Sequence, residues 1–257
     1  MSAPFRKFFL NIRTMTSPER PHAGSGGKVL KEGLVFYIKY MAFAFCVIVL
    51  VLVVSRLLGI EIKNVMSTDS HREQVQDKLI FWLLQLSLFG PLIEEIIFRL
   101  WLSFRRGHIA VSVFVLSYVI LTLSIPHAHD VYVGSVQSDY FEHVLLKVTI
   151  SVLLSLCILF ISKERIDNIT AHRKHQIILV SLFAFALLHL GNARCAWYIY
   201  PLMTIMCLPQ LILGTTVTYY RLHRKFATGL IFHCMVNLAT AMISYKDFIM
   251  EGLTASF

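Results

Sequence analysis

Seven apolar runs, at about residues 40–58, 79–104, 109–125, 143–162, 176–190, 196–220 and 227–244, alternate with short polar gaps. Each approaches the ~20 residues a helix needs to cross the hydrocarbon core of a bilayer. The pattern therefore predicts an all-α, polytopic membrane bundle of about seven transmembrane helices. Gly90-Pro91 interrupts the second run and Pro201 and Pro209 the sixth, so six or eight helices fit the same pattern. No internal repeat of the inverted-transporter kind is visible. Residues 1–33 stand apart as a basic N-terminal tail, and 34–257 read as one transmembrane domain. In the tail, Phe5, Phe8, Phe9 and Ile12 recur at helical spacing with Arg6, Lys7 and Arg13 off that face. Either a short interfacial helix on anionic lipid or a disordered tail satisfies this stretch. Ser17-Pro18, Pro21 and the glycines from Gly24 to Gly27 read as a linker, and the tail lacks the apolar core of a secretory signal.

Composition agrees with this class. The chain is 56% hydrophobic and 15% charged, with a mean hydropathy of +0.67, too apolar for a soluble domain. Its formal charge of +9 does not indicate nucleic acid, because the bases sit in the gaps between apolar runs. Arg105 and Arg106, then Lys163, Arg165, Arg173 and Lys174, then Arg221, Arg224 and Lys225 all fall on the side of the tail if the spans alternate. The positive-inside rule makes that side cytoplasmic, with the C-terminus outside. Residues 126–142 on the other side carry no Lys or Arg; residues 59–78, with Lys63, Arg72 and Lys78, are the exception. The five cysteines form no CxxC and lie in or beside apolar runs, so they read as small buried hydrophobes.

Three stretches place polar side chains inside apolar runs, where charge costs several kcal/mol and marks a functional site by default. The first holds Glu94, Glu95 and Arg99, the second Phe185 and His189, the third His233 and Asn237. Counted at 1.5 Å per residue from the nearest cytoplasmic base, Glu94, His189, His233 and Asn237 lie roughly 17, 22, 12 and 18 Å deep. All are near mid-bilayer. Glu95 and Arg99 are i, i+4 with the acid first, the favourable order for an intrahelical pair. Glu94 is about 100° round the helix and is left for chemistry. A helix that starts or kinks at Gly90-Pro91 would put both acids in its first turn, near a positive dipole end, which favours carboxylate, while burial favours the neutral acid. A carboxylate, two imidazoles and a carboxamide supply a base for water and donors for an oxyanion, the needs of peptide hydrolysis without a covalent intermediate. Taken singly, each His or Asn also fits interhelical hydrogen bonding. The histidines of residues 172–175 and the group His127, His129 and Asp130 read as solvated interface.

Together, EExxxR (Glu94, Glu95, Arg99), FxxxH (Phe185, His189) and HxxxN (His233, Asn237), in that order, with a Leu211–Gly214 LILG run, resemble the type II CAAX prenyl endopeptidases and the wider group of CAAX proteases and bacteriocin-processing enzymes. The resemblance covers about residues 80–245. It implies an intramembrane glutamate protease in which Glu94 and His189 activate water, His233 and Asn237 form the oxyanion hole, Glu95 and Arg99 position their helix, and Phe185 packs beside the site. It also implies a prenylated or otherwise membrane-bound protein or peptide substrate, no cofactor, no nucleic acid, and a multi-pass place in a membrane, expected to be a prokaryotic cell membrane. Two other readings use the same residues. Glu94, His189 and His233 form a zinc ligand set of the His₂Glu type, although the usual HExxH pairing is absent. The fold could also serve as a non-catalytic immunity or regulatory scaffold.

Overall fold

The computed structural model describes residues 3–17, 26–57, 59, 63–64, 79–124, 136–194 and 204–244. The elements are α1 (Ala3–Met15), α2 (Gly26–Leu57), α3 (Leu79–Leu84), a π-helical segment (Gln85–Phe89), α4 (Gly90–Phe98) and a 3-10 turn (Leu100–Ser103). There follow α5 (Arg106–Ser124), α6 (Val136–Leu159), α7 (Lys163–Leu188), a 3-10 turn (His189–Asn192), α8 (Leu208–His223) and α9 (Phe226–Ser244). A two-residue antiparallel bridge, Lys63 to Arg194 and Asn64 to Ala193, is the sole strand pairing among the described residues. The protein is thus an all-helical bundle.

Four described helical stretches are long and apolar enough to cross a bilayer: Gly26–Leu57, Ile80–Phe98, Arg106–Ser124 and Phe226–Ile243. The α6 and α7 helices, bent by 83° at their junction, count as a fifth if taken together. Among the described residues the seven apolar runs of the sequence thus give four or five qualifying helices, and residues 196–203 of the sixth run lie outside those described. The apolar second half of α7 is too short by itself, and α8 is a 16-residue helix rich in Thr and Tyr. Large apolar side chains face outward along the spanning helices, including Leu57, Ile80, Leu123 and Ile243 at 75–80% exposure. Surfaces of this kind need a lipid solvent, and the helical backbone satisfies its own polar groups there.

The chain divides into two units, Met1–Leu92 with His175–Phe257, and Ile93–Lys174. The first is built around α8, in which every residue from Leu211 to Tyr220 is buried, the LILG run included. Its buried threonines bond back along the helix, Thr215 Oγ1 to Leu211 O at 2.7 Å and Thr216 Oγ1 to Ile212 O at 3.0 Å. Polar side chains are thereby satisfied without a partner helix. The α2 helix crosses α8 at Gly33, where a Cβ would collide with the Tyr220 ring. Close approach lets Tyr220 Oη donate to Leu30 O at 2.9 Å and Tyr219 Oη to the Glu32 carboxylate at 2.6 Å. Phe232 of α9 meets Tyr37 and Tyr220 edge-on, both at 5.2 Å.

The tail resolves differently from either expectation. The α1 helix turns Phe8, Ile12 and Met15 into the core of this unit, with Phe8 against Tyr40 and Phe43 and Asn11 bonded to the Tyr40 hydroxyl. Its apolar face is thus covered by protein; Phe9 and Leu10 face outward. The α2 helix starts at Gly26, inside the stretch that the glycines mark as linker. Residue 33 lies within α2, which runs unbroken from Gly26 to Leu57.

In the second unit, α5 packs along α6 through small residues. Ser155 Oγ of α6 donates to Ala110 O of α5 at 2.9 Å, so these two backbones approach closely, and Ser112 Oγ of α5 donates to Ile96 O of α4 at 2.7 Å. Residues 172–175 lie on α7, and His172 Nδ1 contacts Asn168 O at 2.9 Å. His127, His129 and Asp130 lie outside the described residues. Of the four described cysteines, all free, Cys207 is buried while Cys46 and Cys157 face outward, so outward-facing apolar positions accommodate cysteine here as well.

Candidate functional site

The first motif rides on an irregular rod. The Gly90 N–H donates to Gln85 O, five residues back, so the backbone before Gly90 runs in π register. A Cβ on Gly90 would lie 3.1 Å from that same carbonyl, which explains why glycine stands there. The next residue in π register, which should donate to Leu86 O, is Pro91, and proline has no N–H. Asn237 of α9 fills the gap, its Nδ2 donating to Leu86 O at 3.2 Å. Gly90-Pro91 therefore does not start a new helix. The span from Ile80 runs on to Phe98, and Glu94 and Glu95 lie within it, away from the first-turn position that the Gly-Pro pair suggests. The π segment absorbs the missing donor without a break.

Glu95 and Arg99 meet as their spacing predicts. Arg99 Nη1 donates to Glu95 Oε1 at 2.6 Å, and both side chains are 1% exposed. The Arg99 N–H also reaches Glu95 O at 3.0 Å, closing the last turn of α4. Glu94, one position round the helix, is only partly buried. The chain then leaves the helix: Arg99 has φ −129°, and Phe104, at φ 56°, takes the left-handed conformation that ends the 3-10 turn. Lys147, on α6 in the same unit, is 1% exposed, and Ser151 one turn on is also buried. No motif contains Lys147, yet the signal was available: it is a lone cation in the apolar run 143–162, to which the rule applied to Glu94 applies equally.

The second and third motifs come together within the other unit. Phe185, on α7, packs its ring against His189 at 5.0 Å and 66° and against His233 of α9 at 5.9 Å and 85°. The two imidazoles share one phenyl ring. His233 and Phe185 are fully buried, whereas His189, at the first position past the α-helical end of α7, is half-buried. His189 Nδ1 lies 2.9 Å from Phe185 O. A carbonyl only accepts, so Nδ1 carries the proton, and in the neutral ring Nε2 is the basic nitrogen. Asn237, one turn past His233, is the residue that serves Leu86 O.

Glu94, Glu95 and Arg99 belong to the unit Ile93–Lys174, and Phe185, His189, His233 and Asn237 to the other. Among the described residues, no group of three or more His, Cys, Asp or Glu side chains is placed to hold a metal ion. Chemically, the histidine cluster offers a base of fixed tautomer and a buried imidazole; α4 offers a half-buried carboxylate beside a closed ion pair. No protein-family profile, curated protein or solved structure matches the chain.

Proposed function

We propose that this membrane protein is an intramembrane endopeptidase of the type II CAAX prenyl protease kind, multi-pass, with its N-terminus cytoplasmic. It hydrolyses a peptide bond near the C-terminus of a prenylated or otherwise membrane-bound protein or peptide. Glu94 and His189 activate the water, with the proton taken at His189 Nε2. His233 stabilises the oxyanion, helped by Asn237, which has a second amide proton beyond the one directed at Leu86 O. Glu95 and Arg99 hold α4 in place. The observation that supports this reading most is the meeting of His189 and His233 at the Phe185 ring, with His189 Nδ1 directed at Phe185 O so that Nε2 is left as the basic nitrogen.

Cleavage of a quenched, prenylated CAAX peptide by detergent-purified protein tests the proposal. Wild type should cleave with or without chelator, and Glu94→Gln should lose activity by about a hundredfold or more. Cleavage lost to chelator and restored by zinc would replace this mechanism with a metal-dependent one. Wild-type levels of cleavage by Glu94→Gln would overturn the role of the carboxylate.

A further inference from the structure

The unit Ile93–Lys174 contains a cavity of about 450 Å³ lined by Arg105, Arg106, Lys163 and Lys174, with Asp167 as its one carboxylate. None of these residues belongs to a motif discussed above. Four cations around one cavity repel one another, and a single acid cannot neutralise them, so the site favours an anion. Ser103 and Thr170 complete the polar lining, their hydroxyls engaged with His108 Nδ1 and Ile166 O at 2.7 Å each, while Phe104 and the buried Ile166 supply apolar wall.

The walls are fixed by local structure. The left-handed Phe104 turns the chain between the 3-10 segment and α5, and Lys174 Nζ stands 5.7 Å from the Phe104 ring centre. Arg106 Nη1 donates to Ile161 O at 3.4 Å, tying the start of α5 to the segment that leads into α7. Ser162 Oγ accepts the Arg165 N–H at 3.3 Å at the first turn of α7. The helices α5 and α7 begin at Arg106 and Lys163, so two positive helix ends add to the side-chain charge at the cavity. Arg106 is also the first residue of a 19-residue apolar span, which puts the cavity at headgroup level.

We propose that this cavity binds a phosphate group, either that of an anionic lipid headgroup or that of a small soluble phosphate. Its size is in the range of small-ligand sites of roughly 300–1,000 Å³. Basic pockets between membrane helices on the cytoplasmic side are suited to such headgroups.

The test uses the full chain in detergent and reads retained lipid by native mass spectrometry and melting temperature by scanning fluorimetry. Phosphatidylglycerol, phosphatidylcholine and inorganic phosphate are added separately. Lipid binding predicts that phosphatidylglycerol is retained and raises the melting temperature, and that phosphatidylcholine does neither. Lys163→Gln with Lys174→Gln should weaken retention about 25-fold, at about five-fold per cation. Lys28→Gln with Lys31→Gln, exposed cations of the other unit, should leave it unchanged. Asp167→Asn should tighten retention, a gain that a damaged fold cannot produce. Millimolar inorganic phosphate that stabilises the protein and displaces phosphatidylglycerol would identify a small phosphate as the ligand. Equal binding of phosphatidylglycerol and phosphate by wild type, the double variant and Asp167→Asn would overturn the proposal.

Discussion

Two polar clusters in the membrane helices are held by opposite means. Glu95 and Arg99 are bonded to each other within one turn of α4, both out of reach of solvent. His189 and His233 are gathered from two stretches of the chain around the ring of Phe185. A buried ion pair closed inside one helix resists change, because removing either partner strands the other charge. A neutral imidazole oriented by one bond to a carbonyl keeps a basic nitrogen, the state in which proton transfer is available.

Substitutions that separate the two behaviours have graded effects. The largest should come from Arg99→Met, which leaves the Glu95 carboxylate buried without its cation and costs about 3–5 kcal/mol. Thermal unfolding in detergent should show it, and Glu95→Leu combined with Arg99→Met should recover most of the loss. An Arg99→Met protein as stable as wild type would mean that the pair is not the clamp described here. Phe185→Ala, which removes a fully buried ring from between two imidazoles, should cost about 3–5 kcal/mol. Phe185→Leu should lose less than about 1.5 kcal/mol while still lowering cleavage, since it removes the edge that orients His233.

Asn237→Ala should destabilise by about 1–3 kcal/mol, because Leu86 O loses its donor. Pro91→Ala restores a backbone N–H at the π-register position and should offset that loss in the double variant. Failure of Pro91→Ala to rescue would show that Asn237 acts elsewhere, and an Asn237→Ala protein of full stability but no cleavage would leave it an oxyanion role alone. The smallest effect on stability is expected from His189→Asn, within about 0.5 kcal/mol, since the ring is half-exposed. Its effect on cleavage should be about a hundredfold or more. That split between stability and activity is the signature of the second cluster.

These contrasts also explain what was legible in the sequence. The Glu95 to Arg99 pair is local, set by helical spacing, and was readable without any tertiary knowledge. The all-helical, membrane-borne architecture follows from the apolar runs. Hydropathy cannot tell a run that faces lipid from one enclosed by protein, as α8 is. The gathering of both histidines by Phe185, and the service of Asn237 to Leu86 O, depend on which helices become neighbours, which spacing along one helix cannot say. The Gly90-Pro91 pair reads as a helix start or kink because proline breaks the ordinary register. Its rescue by a π segment and a side chain 151 positions away is a tertiary event. Lys147 was overlooked for a different reason: it matches no motif, though its apolar surroundings marked it.

The central claim is that Glu94 and His189 act as one catalytic unit. The most direct measurement is a double-mutant cycle on cleavage of the prenylated peptide, with Glu94→Gln, His189→Asn and both together. Shared activation of one water predicts that each single substitution abolishes most of the activity and that the double is no worse than either, the non-additivity of residues working together. Independent, additive losses, or cleavage that survives Glu94→Gln, would contradict it.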